Sequence, residues 1–94
     1  MNNAILFNCC TDFAAPDWSQ FTALELGGCR MDPDYDGSVN GGFDRYEAEF
    51  FSVYARFGDG ECDAITDWHG SYDEAVSTTE ELSRLSGLPL TIVC

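Results

Sequence analysis

The stretch FFSVYARFGDGECDAITDWHGSYDEAVSTTEELSRLSG, residues 50–87, decides the fold, because it carries two strand patterns, a turn and a fully signposted helix in one run. Gly58-Asp59-Gly60 contains the Asp-Gly pair that favours a tight hairpin turn, and it separates Phe50–Phe57 from Glu61–Trp68. Two antiparallel strands are expected. On the second, strict alternation puts Cys62, Ala64, Thr66 and Trp68 on one face. Glu61, Asp63 and Asp67 then share the other face with Ile65. The first strand is rich in aromatic and β-branched residues on both faces, which suits an interior position.

Downstream, Ser71 and Glu74 form an S-x-x-E capping box, and Tyr72, Ala75, Val76, Thr79, Leu82 and Leu85 recur at helical spacing. The helix should end near Ser86, since Gly87 takes the left-handed terminal position and Pro89 cannot continue it. Leu90–Val93 reads as a final strand whose two apolar faces point to a central or covered place. Upstream, Ala4–Asn8 reads as a strand and Asp17–Phe21 as a helical turn after Pro16. Ala23–Met31 reads as a strand broken at Gly27-Gly28, and Asp32–Gly42 as a polar, glycine-rich loop. The expected fold is a single α+β domain over residues 1–94, an antiparallel sheet of four or five strands with the 71–86 helix packed on one face.

The chain of 94 residues has 45% hydrophobic and 14% aromatic residues, a folded rather than a disordered composition. Yet 17 Asp and Glu face four Arg and no Lys, giving a net charge of -13. Such a field repels nucleic acid and anionic membrane, so neither is expected as a direct partner. It also opposes self-association, which favours a monomer. The N-terminus lacks the positive segment and long apolar run of a signal peptide, so the chain is expected to stay in the cytoplasm of the cell that makes it. Cys9, Cys10, Cys29, Cys62 and Cys94 are odd in number and lack a C-x-x-C pair, which fits reduced thiols better than a disulfide framework or a zinc site.

Catalytic signatures are missing: there is no G-x-G-x-x-G, phosphate loop or nucleophile elbow. His69 is the sole histidine, and although Asp67 lies near it in sequence, no nucleophile is placed beside it by a recognisable motif. Enzymatic activity and a cofactor are therefore not expected. The run Asp32-Pro33-Asp34-Tyr35-Asp36-Gly37-Ser38-Val39-Asn40 resembles the start of an EF-hand calcium loop, with oxygen ligands at alternate positions before the turn glycine. Its twelfth position is Phe43 where such loops carry a bidentate Glu. Calcium binding by this loop stands as one alternative. A structural or assembly role through an aromatic surface around Phe50 and Tyr54 stands as another.

What remains is the carboxylates, which fall into groups: Asp32, Asp34 and Asp36; Asp44, Glu47 and Glu49; Asp59, Glu61, Asp63 and Asp67; and Asp73, Glu74, Glu80 and Glu81. On an exposed strand face, alternate side chains stand about 6.5 to 7 Å apart, so Glu61, Asp63 and Asp67 would form a regular anionic row. In size, charge, absence of Lys and absence of catalytic motifs, the chain resembles the small acidic phage-encoded inhibitors of bacterial defence, the anti-CRISPR and anti-restriction DNA mimics. That resemblance implies a non-enzymatic inhibitor whose partner is a basic DNA-binding protein, such as a subunit of a CRISPR-Cas surveillance complex. The contact residues would come from Glu61, Asp63, Asp67, Asp59, Asp73, Glu74, Asp32, Asp34, Asp36, Glu47 and Glu49.

Overall fold

The computed structural model describes residues 3–34 and 37–94. The chain runs through a short helix α1 (Asn3–Leu6), strands β1 (Phe21–Met31), β2 (Val39–Phe43), β3 (Phe50–Phe57) and β4 (Cys62–Trp68), the main helix α2 (Tyr72–Ser86) and strand β5 (Leu90–Ile92). The α+β arrangement is as the sequence indicates, with one main helix packed on a five-stranded sheet. Strands β2, β1, β3 and β4 lie in that order, each antiparallel to its neighbour. β5 joins β1 in parallel, beside Leu24–Leu26, while β2 pairs further along the same strand beside Gly28–Met31.

The hairpin and the helix follow their local signals. Gly60 closes the turn at φ 96, and Phe57 and Glu61 bond across it. At α2, the Ser71 side chain accepts from the Glu74 backbone while the Glu74 carboxylate accepts from the Ser71 N–H, a complete capping box. Gly87 ends the helix at φ 75, where a side chain would be strained. The helix buries Ala75, Thr78, Thr79 and Leu82, one stripe at 3–4 spacing. This stripe is rotated from the expected one: Thr78 is inside, and Leu85 is exposed. Thr78 and Thr79 tolerate burial because their hydroxyls donate to the carbonyls of Glu74 and Ala75 one turn back. Beneath them lie Leu24, Leu26, Phe51, Val53, Ala55 and Ile65, joined by Leu6, Phe7 and Phe21.

Several upstream expectations are corrected. β1 is one unbroken strand of 11 residues, and Gly28 marks a close approach instead of a break. A Cβ on Gly28 would stand well inside contact distance of the Phe43 carbonyl oxygen, so glycine lets β2 pair there. The expected loop at 32–42 therefore ends in β2, whose glycines hide the strand pattern. The Ala4–Asn8 strand is instead α1 and a turn, which turn Leu6 and Phe7 into the core. β5 is not central: among the described residues it pairs with β1 alone, and Thr91 and Ile92 are exposed. No helix among the described residues is long and apolar enough to cross a membrane.

The decisive irregularity is in β4. Val53 pairs with Thr66 but Tyr54 pairs with Ala64, so Ile65 is an extra residue in a β-bulge. Both Ile65 and Thr66 are consequently buried, at 1% and 0% exposure. Strict alternation would have turned one of them out.

Two substitutions check this packing. Leu82→Ala, at a site with 0% exposure, should cost about 2–5 kcal/mol in urea unfolding. Gly28→Ala should destabilise the fold and accelerate amide exchange in Val39–Phe43, while exchange in α2 stays slower than in β2.

Candidate functional site

Because of the bulge, Asp63 stands opposite Ala55 and Asp67 opposite Ser52. Those two partners are three residues apart on β3, so the aspartates occupy opposite faces of the sheet. The expected row of Glu61, Asp63 and Asp67 does not exist. Glu61 precedes the strand and is exposed, with its backbone N–H bonded to the Asp59 carboxylate. Asp63 is exposed. Asp67 is half-buried and accepts from the buried Ser52 hydroxyl at 2.5 Å, while its backbone N–H and carbonyl both bond the Asn8 side chain.

The other expected contact residues divide in the same way. Asp32 accepts from the Asp34 N–H and from Asn40, and Glu49 accepts from the Met31 N–H beside Arg30. Asp59 and Glu74 are held by the turn and the capping box. The Ser71 backbone N–H, then its hydroxyl, keeps the Glu74 carboxyl below its usual range. These carboxylates hold the fold together. Asp34, Glu47, Glu61, Asp63 and Asp73 are exposed with no hydrogen bond or ion pair to their carboxylates among the described residues, and so are Asp12 and Glu80, which were outside the expected contact set. Asp36 lies outside the described residues. Glu80 could have been found from helix periodicity, seven residues after Asp73. Asp12 carried no such signal, since its exposure depends on a turn in which it and Phe13 both take positive φ, 57 and 52.

All four arginines are engaged internally. Arg56 makes a two-pronged bond to Glu25 at 2.9 Å, Arg84 pairs with Glu81, and Arg30 lies 3.8 Å from Glu49. Arg45 stacks 4.0 Å from the Tyr72 ring centre and donates to the Cys94 carbonyl. Among the described residues, no arginine pairs with the free carboxylates.

Neither alternative gains a built site. The element before the Asp32 loop is strand β1, as the sequence reading has it, and no group of three or more His, Cys, Asp or Glu converges among the described residues, which exclude Asp36. Phe50 is 2% exposed beneath His69, whose ring stacks on it at 4.8 Å, so the expected aromatic surface is covered at that point.

Concavities among the described residues bear on the site. A recess of about 350 Å³ at the start of α2 is lined by Trp68, Asp73, Glu74, Ser77 and Thr78. A larger cleft of about 450 Å³ lies between Asp63–Ile65 and the N-terminal segment, with Cys9, Cys10, Thr11, Ala14, Ala15, Pro16 and Phe21 lining it. Its thiols are weak nucleophiles: burial, then the charge and hydrogen bond of Asp67, pushes Cys9 from 9.0 up to about 11. Burial and then Asp63 raise Cys10. Between β1 and β3, burial and then the contact with the Cys29 thiol push Tyr54 up to about 12. No family model, curated protein or solved structure matches the chain.

These raised acids fix the alkaline behaviour. The unfolded chain releases the Cys9 and Tyr54 protons first, so above about pH 9 the native state holds more protons and loses stability as pH rises. The urea midpoint should fall steadily between about pH 9 and 11. Cys9 should alkylate more slowly at about pH 8 than a free thiol. A flat midpoint and rapid Cys9 labelling would contradict these assignments.

Proposed function

We propose that this protein is a non-enzymatic inhibitor that acts as a monomer by occupying the basic, nucleic-acid-binding surface of another protein. The observation that carries this reading is the charge arrangement: every arginine is bound within the fold, while Asp12, Asp34, Glu47, Glu61, Asp63, Asp73 and Glu80 remain exposed and uncompensated. A surface like this attracts clustered Lys and Arg at long range and repels nucleic acid itself.

With Asp63 and Asp67 on opposite faces, the phosphate-like element of this proposal is on α2. Asp73 and Glu80 are seven residues apart on one helix face, about 10.5 Å along the axis. This is close to three steps of the roughly 3.4 Å axial phosphate spacing of one DNA strand. A DNA-contacting subunit of a CRISPR-Cas surveillance complex, or a restriction enzyme, is the partner class that the acidic phage inhibitors suggest.

The test is competition. The tagged protein should retain a DNA-binding protein from cells carrying such a defence system, and short duplex DNA should release it. Binding should weaken at least about tenfold between 50 and 200 mM salt, as expected for an interface of many charge contacts. Asp73→Lys with Glu80→Lys should abolish retention while the far-UV dichroism spectrum is unchanged. Retention that neither DNA nor the double reversal disturbs would refute the proposal.

A further inference from the structure

The N-terminal segment covers only part of the outer edge of β4. Cys9 N–H bonds the Ile65 carbonyl, Thr66 donates to the Ile5 carbonyl, and Asn8 bonds both backbone groups of Asp67. Beyond the bulge this cover stops. Cys62, Asp63 and Ala64 are all exposed and pair only with β3 among the described residues. The uncovered stretch spans about 10 Å of strand.

The larger cleft adjoins this stretch. Ala14, Ala15, Pro16, Phe21, Ala64 and Ile65 give it apolar walls, and Asp63 brings a carboxylate to its edge. Asp12 and Glu61 flank the lining in sequence and are also exposed and uncompensated. The nearest arginine in the register, Arg56 opposite Cys62, is committed to Glu25 and the Gly60 carbonyl. An open strand edge beside a groove is the arrangement to which extended peptides add, with backbone bonds supplying affinity and the groove selecting side chains. Charge selects the occupant here.

We infer that the cleft takes an extended cationic segment of a partner protein, which pairs through its backbone with Cys62–Ala64 and sets a Lys or Arg against Asp63. The segment lies between β4 and residues 9–16, and its apolar side chains rest on Phe21 and Pro16. This inference rests on reading the acidic surface as a dock for a basic protein. It adds a defined point of attachment and a backbone mode of recognition. A second copy of this chain is a poor occupant, because its own net charge of -13 opposes the approach.

The probe is a synthetic six-residue peptide of alternating Arg and Val, titrated into the isotopically labelled protein and followed by amide chemical shifts. Shifts should concentrate in residues 9–16 and 61–65. A version N-methylated at alternate residues, with the same charge but no donor along one edge, should bind at least tenfold more weakly. Asp63→Lys, at an exposed position, should weaken the unmodified peptide at least tenfold while the remaining amide spectrum is preserved. Shifts spread over the helix and the loops, or equal binding of the N-methylated peptide, would overturn the cleft and leave the acidic-surface reading standing. No binding even at 20 mM salt would overturn both.

Discussion

The bulge at Ile65 is the constraint on which the rest of the arrangement depends. It lets two successive residues, Ile65 and Thr66, both enter the interior. Their burial carries a topological consequence, since the face of every later residue on β4 is reversed. Asp67 is thereby delivered to the Ser52 hydroxyl and Asn8 locks its backbone, while Asp63 is left in the open. The same reversal fixes where the N-terminal segment can dock, and therefore where its cover of the edge ends.

Charge is distributed with a comparable division of labour. A chain with a net charge of -13 must offset its repulsion by burial, and it does so with a core drawn from both strands of the hairpin, β1 and α2. The four arginines tie β1 to β3, β1 to the segment before β3, the helix to itself, and the Arg45 turn to Tyr72 and Cys94. Carboxylates such as Asp32, Glu49, Asp59 and Glu74 are consumed as acceptors for turn, strand-end and cap N–H groups. Acidity is thus partly structural, and only the remainder is available to a partner.

Local signals were legible wherever geometry depends on near neighbours. The capping box, the Gly87 stop and the hairpin turn are all decided within a few residues, and each stands where the sequence places it. Features decided by distant segments were hidden. Gly28 weakens a strand pattern in isolation, and only the approach of Phe43 explains it. β2 looks like a loop because its pairing comes from β1, and α1 looks like a strand because Leu6 and Phe7 are apolar for reasons of docking. The candidate site suffered most. Alternation through Asp63, Ile65 and Asp67 is a sound local inference, and one extra residue in the ladder undoes it. Thr66 gave no hint of it, because its burial depends on the Ile5 carbonyl that accepts from its hydroxyl.

The most direct test of this account is to compare Asp63→Ala with Asp67→Ala by urea unfolding at neutral pH. If the bulge has split the row into a free carboxylate and a structural one, Asp63→Ala should leave stability within about 0.5 kcal/mol, as for a surface change. Asp67→Ala should cost about 1–3 kcal/mol, because it removes the carboxylate that accepts from the buried Ser52 hydroxyl. Equal effects from the two substitutions would contradict the bulged register and the division of carboxylates built on it.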